Sequence, residues 1–346
     1  MSKKGLIQCG VGGMGGTWIN GPSTQSPDFD LVAIVDVVPK NLETVGEKTG
    51  LAEDRRFSSL EDALAGMKSG AFEADAVLTV TPPAVHIQHA RLAFENDLHF
   101  ITEKPIGASL EDAKEMVRLA REAGKQMAVS QNYRFSASAQ KWRETVAAQP
   151  VGALGHGRLD FYIPGDFTGS FRETMEFPLL VDMAVHHFDL IRAITGQNIA
   201  RVSTQSFSPS WNWYQHDAAA NVAMELGNGM PFSYSGDWSA RGRSTSWSGN
   251  WRLQCAEGSL HWDKEKIFIA RGERWMKEER EEEIEIPPVE FGGLNGTLHA
   301  FAGAIESNVP APISGEDNLQ TFAAVMAAVK SAQEKRPVEI AELLGE

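Results

Sequence analysis

The sequence predicts an α/β protein in two parts: a doubly wound parallel sheet first, then a part whose strands run in series. Three observations carry that expectation. Up to Ser130, short β-branched runs alternate with helical periodicity, the pattern of parallel strands joined by right-handed crossovers. Beyond Ser130 the alternation stops, and β-like stretches follow one another across short turns, as in an antiparallel meander. The length of 346 residues suits two domains of ~100–200 residues each. A boundary at 130/131 is expected, with one domain over 1–130 and the other over 131–346.

Leu6–Cys9 is expected as the first strand and runs straight into a glycine-rich turn. Leu31–Val35 is nearly unbroken apolar sequence, as a strand covered on both faces requires. Ala76–Val80, Phe100–Thr102 and Met127–Val129 continue the series. Ser58 with Glu61, and Ser109 with Asp112, mark helix starts at capping spacing, and Gly124 stops the helix over Leu110–Ala123. In the second part, helices are expected over Ala137–Ala148 and over Leu179–Thr195, the latter stopped by Gly196. Strands are expected at Arg201–Phe207, Asn221–Leu226, Phe232–Trp238, Trp251–Cys255, Ser259–Trp262 and Glu282–Ile286. Helices near Thr297–Ser307 and Leu319–Lys335 follow. The acidic run Lys277–Glu283 suits the solvated edge of a surface strand.

Composition narrows the function classes. Hydrophobic residues at 42% and charged residues at 23% are normal for a chain with a core, which excludes a disordered or fibrous protein. A net charge of −14 repels phosphate backbones and anionic lipid, so neither nucleic acid nor a membrane surface is expected as a partner. No apolar run approaches the ~20 residues of a membrane span. Glycines interrupt the first apolar stretch, so no signal peptide is expected. Two distant cysteines, Cys9 and Cys255, make no disulfide framework, and a cytoplasmic location is expected.

Gly10-Val11-Gly12-Gly13-Met14-Gly15 places glycines at the first, third and sixth positions of G-x-G-x-x-G. The first allows a tight turn, the second lets a pyrophosphate approach the backbone, and the third lets helix and strand pack closely. The helix N-terminus behind them offers unpaired N–H groups to the phosphates. Alone this pattern is weak. Here a strand precedes it, a helix-compatible stretch follows, and Asp36 ends the second strand 21 residues beyond Gly15. That is near the ~20 expected of a carboxylate gripping the adenosine ribose. A carboxylate there repels a 2′-phosphate, so NAD is favoured over NADP, although Lys40 lies close by.

Three further segments add to the nucleotide turn. Thr81-Pro82-Pro83 and His86 follow the third apolar strand, and Glu103-Lys104-Pro105 follows the next. Asp182, His186 and Asp189 stand at i, i+4 and i+7 of one predicted helix and share a face. In combination these resemble the Gfo/Idh/MocA family, the glucose-fructose oxidoreductase and inositol dehydrogenase type, over essentially the whole chain. The resemblance implies an N-terminal Rossmann doubly wound parallel sheet and a C-terminal α+β domain with a large, open, mostly antiparallel sheet. It implies oxidation or reduction of a secondary carbon of a sugar, polyol or related compound by a nicotinamide dinucleotide. Lys104, Asp182 and His186 would be catalytic. Gly10, Gly12, Gly13, Met14, Gly15, Asp36, Thr81, Pro82, His86, Glu103, Lys104 and Asn132 would meet the cofactor. From its place after the last parallel strand, Arg134 could reach the substrate or the domain junction, or serve structure alone, and Tyr162 is expected with Lys104, Asp182 and His186 at the substrate. Phe177-Pro178-Leu179-Leu180-Val181 and Ala184 replace the glycines many members carry around the aspartate, which bears on the pocket's shape.

The residues support the same site independently. Ligands of open parallel sheets collect at the carboxyl ends of strands, where Lys104 stands. Its amine could exchange a proton with a hydroxyl while hydride leaves the same carbon, with His186 as a second acid/base and Asp182 orienting it or binding a sugar hydroxyl. His187, turned ~100° from His186, is expected to serve structure or the pocket rim. Asp182 and His186 lack a third partner at metal-ligand spacing, so no metal is expected. The tryptophans suit sheet packing or a subunit interface, and a tryptophan-lined open face would favour self-association; the resemblance points to homodimers or homotetramers. Two other readings stay open: NAD-assisted glycoside cleavage with no net redox, and a catalytically silent nucleotide-binding regulator.

Overall fold

The computed structural model describes residues 3–272 and 279–345. It contains two compact units, one of Met1–Phe135 with Phe291–Leu319, the other of Ser136–Glu290 with Gln320–Glu346. A single cut at 130/131 does not describe this division, because a stretch from late in the chain returns to the first unit.

The first unit is built on strands β1 (Lys4–Cys9), β2 (Phe29–Val35), β3 (Arg56–Phe57), β4 (Ala76–Thr79), β5 (His99–Thr102) and β6 (Met127–Val129). They form one parallel sheet in the order β3-β2-β1-β4-β5-β6, and the order reverses between β1 and β4. Helices α1 (Gly13–Ile19), α2 (Pro22–Gln25), α3 (Pro39–Thr49), α4 (Leu60–Lys68), α5 (Pro83–Glu95) and α6 (Leu110–Ala123) make the crossovers. The near-continuous apolar runs are strands with both faces buried; every residue of β4 is buried. Ser109 caps α6 by accepting from the Asp112 N–H, and Gly124 ends it at φ +63°. For α4 the cap is Ser59 with Asp62, one residue later than the Ser58–Glu61 reading. Both serine hydroxyls meet the Asp62 carboxylate, so the spacing does not separate them.

The returning segment completes this unit's core. Phe301 stacks on Phe29 with ring centroids 6.0 Å apart, and Leu298 and Ile313 join Leu6, Trp18 and Leu78 in one buried cluster. The Val129 N–H donates to the Ile313 carbonyl, so the returning chain also hydrogen-bonds at the end of β6.

The second unit begins with helix α7 (Ala137–Ala148) and strand β7 (Leu154–Tyr162). A five-residue π turn over Leu179–Met183 leads into α8 (Ala184–Thr195). Strands β8 (Ile199–Phe207), β9 (Ala219–Leu226), β10 (Pro231–Asp237), β11 (Asn250–Cys255), β12 (Gly258–Asp263), β13 (Lys266–Gly272) and β14 (Glu279–Ile284) follow. Next come α9 (Gly293–Ser307) and α10 (Gly315–Glu334), which start earlier than the periodicity suggested, then β15 (Val338–Glu339) and α11 (Ile340–Leu344).

The sheet runs β14-β13-β12-β11-β7-β10-β9-β8-β15. Every neighbouring pair is antiparallel except β7–β10. The expected meander is therefore split by β7, inserted between β10 and β11. Its glycines hid it: a Cβ at Gly157 would lie 2.3 Å from the Phe232 ring, so close packing excludes the β-branched residues that signal a strand. The acidic run meets edge strand β14, where Glu281, Glu282 and Glu283 are exposed and discourage pairing with another chain; Lys277 and Glu278 lie outside the described residues.

Candidate active site

The glycine turn follows β1 directly. Gly10 sits at φ +83°, and a Cβ there would lie 2.5 Å from the Val80 carbonyl oxygen, so only glycine fits. A Cβ on Gly15 would lie 2.1 Å from the Gly10 carbonyl oxygen, which accounts for the close approach of α1 to β1. The sequence reading missed Gln8. Its buried side-chain amide donates to the Gly10 and Gly15 carbonyls, both at 3.0 Å, and so fastens the turn to its helix. The signal available was a polar residue in an apolar strand. Asp36, one residue past β2, accepts from the Val11 N–H and the Val38 N–H, both at 2.9 Å, and from the Asn41 amide at 3.2 Å. Its carboxylate thus stands beside the turn. This arrangement fits a dinucleotide: a backbone-lined turn at a helix start, space around Gly13 and a carboxylate next to it.

The other expected residues of this unit lie along the same sheet edge. Thr81 follows β4, its hydroxyl 2.9 Å from that of Thr79, and Pro82 stands at the start of α5. Glu103, Lys104 and Pro105 follow β5 with a cis Lys104–Pro105 bond, Lys104 being half-buried. Asn132, also half-buried, opens a 3-10 turn over Asn132–Phe135 beyond β6. Exposed Met14 lies on the first turn of α1.

Three of the expected contact residues also have partners inside the unit. His86 is fully buried, with Nε2 2.9 Å from the Thr81 carbonyl and Nδ1 2.9 Å from the Thr102 hydroxyl; burial pushes its pKa down. It ties together the loops after β4 and β5. Glu103 accepts from the Trp18 indole at 2.8 Å and from the Lys104 N–H at 3.1 Å, and burial pushes its carboxyl up. Arg134 donates to the Pro312 carbonyl at 2.5 Å and pairs with Asp317 at 2.6 Å, holding the returning segment. Each has a structural task that its position in the sequence did not reveal.

In the second unit, Asp182 sits on the π turn and His186 on the first turn of α8, and both are buried. The wider π turn breaks the uniform helical register assumed for positions 182, 186 and 189; such turns recur at functional sites. Asp182 pairs with Arg172 Nε at 2.5 Å, a partner the sequence reading did not name. Asp189 accepts from the Thr321 hydroxyl at 3.1 Å, which also accepts from Arg192, so this carboxylate belongs to a buried network between α8 and α10. His187 is structural. It lies 3.2 Å from the Tyr234 hydroxyl and 2.9 Å from the Trp247 carbonyl, and burial lowers its pKa to about 4.

Tyr162 requires a correction. Phe161 points to the helix-covered face of the sheet, its ring 4.7 Å from that of His187. The next residue of a strand points the other way, and the Tyr162 hydroxyl meets Ser235 at 2.7 Å on the open face. Tyr162 therefore does not share a face with His186. Of the two expectations for the strand tryptophans, sheet packing holds and a tryptophan-lined open face does not. Trp251 and Trp262 stack with centroids 6.0 Å apart and pack on Trp142 of α7, so they fill the core. Neighbouring strands leave Arg158, Ser233, Asn221 and Arg252 on the open face.

Residues 6–131 match a family model described as the oxidoreductase family with an NAD-binding Rossmann fold, and residues 124–261 match the GFO/IDH/MocA C-terminal domain. The chain belongs to the Gfo/Idh/MocA family. As a member it is an oxidoreductase whose cofactor is a nicotinamide dinucleotide of the NAD type. Among relatives, a 1,5-anhydro-D-fructose reductase of Ensifer adhaerens is 23% identical over 98% of this chain and 99% of its own. A D-apiose dehydrogenase of Rhizobium rhizogenes is 26% identical over 91% of each. An Agrobacterium radiobacter oxidoreductase solved with NAD+, L-tartaric acid and magnesium superposes with a TM-score of 0.87 at 20% identity, covering 99% of this chain and 100% of that one. At that identity the superposition shows the shared Gfo/Idh/MocA fold. No helix among the described residues is long and apolar enough to cross a membrane.

Proposed function

We propose that this chain is a cytoplasmic NAD-dependent dehydrogenase of a secondary alcohol on a sugar, polyol or related carbohydrate, working as a homodimer or homotetramer. One observation carries the reading: the glycine turn, Asp36, Thr81, Lys104 and Asn132 all follow strands at the carboxyl edge of one parallel sheet, where such folds gather ligands. Relatives named for sugar and inositol substrates support the substrate class.

The glycine turn, Asp36 and the residues after β4 and β5 would hold the cofactor, which when bound supplies the hydride acceptor. Lys104 takes the hydroxyl proton as the carbinol C–H bond gives up its hydride, leaving a ketone. His186 serves as the second acid/base group, and Asp182 holds the substrate or the imidazole in place. Lys104→Ala tests this: NADH binding followed by fluorescence should survive, while kcat on an accepted polyol falls about 10²–10⁴-fold. Unchanged kcat removes Lys104 from the reaction. A glycoside consumed with no absorbance change at 340 nm replaces net dehydrogenation by redox-assisted cleavage.

A further inference from the structure

The Arg172–Asp182 pair is built more elaborately than a loop tether needs. Arg172 lies on a 3-10 turn over Phe171–Thr174, after a connection in which Ser170 caps that turn and Asp166 accepts from the Thr168 N–H and hydroxyl. Its guanidinium carbon stands 4.9 Å from the Phe167 ring centroid and 4.6 Å from that of Phe171. Phe167 packs edge-on to Trp238 with centroids 5.1 Å apart, and Trp238 stacks on Tyr214 at 6.0 Å. The rings and the carboxylate together fix the guanidinium plane.

Among the described residues, Asp182 is the hydrogen-bond acceptor of this guanidinium, and it takes only Nε. Both Nη amino groups keep donor capacity, and 28% of the side chain is solvent-accessible. A guanidinium held this way presents a fixed fork of donors immediately beside a carboxylate. Each carboxylate oxygen accepts more than one hydrogen bond, so Asp182 can serve a ligand while still holding Nε.

We propose that Arg172 and Asp182 form one donor–acceptor unit that binds two neighbouring hydroxyls of a neutral polyol, making Arg172 a specificity-determining residue. One hydroxyl donates to Asp182, and its neighbour accepts from an Nη group. Asp182 already answers the guanidinium charge at 2.5 Å, so this pair by itself adds little attraction for a ligand carboxylate. Vicinal hydroxyls, which donate and accept at once, match both partners. This inference rests on the dehydrogenase reading for the identity of the site.

Binding tests it apart from turnover. Affinities of myo-inositol, D-glucose and the set of monodeoxy-D-glucoses are measured by calorimetry on NADH-loaded protein, for wild type, Arg172→Lys and Arg172→Met, with melting curves alongside. Both variants should weaken the vicinal polyols about ten-fold or more, while Arg172→Lys melts like wild type. At least one monodeoxy glucose should bind wild type weakly and be indifferent to the substitutions. Full affinity in Arg172→Lys would show that the ion pair alone matters and overturn the proposal; so would wild-type protein that binds no vicinal polyol. Arg172-dependent binding without NAD reduction upholds the subsite and sinks the dehydrogenase reading.

Discussion

Individual side chains divide into those whose role follows from local sequence and those whose role depends on distant partners. Asp36 belongs to the first kind, because a carboxylate one residue past β2 reaches the glycine turn in any sheet of this order. His86 and His187 belong to the second. The helix angle leaves His187 between structure and the pocket rim, and burial decides for structure; His86 stands near a motif, and its burial shows a core imidazole. His187 makes this testable. Its folded pKa of about 4 lies below the ordinary value of 6.5, so the unfolded chain binds more protons between those pH values. Its contribution is intact above that window and is lost as pH falls through it. The urea midpoint of wild type should decline from about pH 6.5 towards pH 4, and His187→Gln should decline less steeply. Identical slopes would assign the acid sensitivity to other groups.

At the scale of the element, α1 and β1 are held together by the absence of side chains. Gly15→Ala would drive a Cβ to 2.1 Å from the Gly10 oxygen and push the helix away. We expect a loss of about 1–3 kcal/mol in stability, read by chemical denaturation, together with weaker NADH binding. Gly16→Ala is the control: its Cβ would meet the Val11 oxygen at an ordinary 3.6 Å, and alanine favours a helix. The π turn before α8 follows no sequence signal we identified; a helix was legible there, its widened first turn was not. The same holds for β7, where Gly157 weakens the strand pattern because Phe232 needs the space.

For the whole molecule, the first unit is assembled from separated stretches. Phe301, Leu298 and Ile313 are core partners of Leu6, Phe29 and Trp18. A fragment of residues 1–135 should therefore expose apolar surface, bind a hydrophobic dye and lose its cooperative melt. Adding residues 291–319 through a flexible linker should restore the transition. A cooperative melt from 1–135 alone would show the returning segment to be dispensable.

Strand alternation, the glycine turn, the Asp36 spacing and the Glu103-Lys104-Pro105 and Asp182/His186 patterns were enough to establish the sheet classes and the family. All of these are local: periodicity and short spacings are written in consecutive residues. What tertiary structure decided was every long-range pairing. It set β7 between β10 and β11, returned Phe291–Leu319 to the first core, turned Tyr162 to the open face and brought Arg172 to Asp182. Such contacts depend on which surfaces bury one another, and no short window of sequence records that.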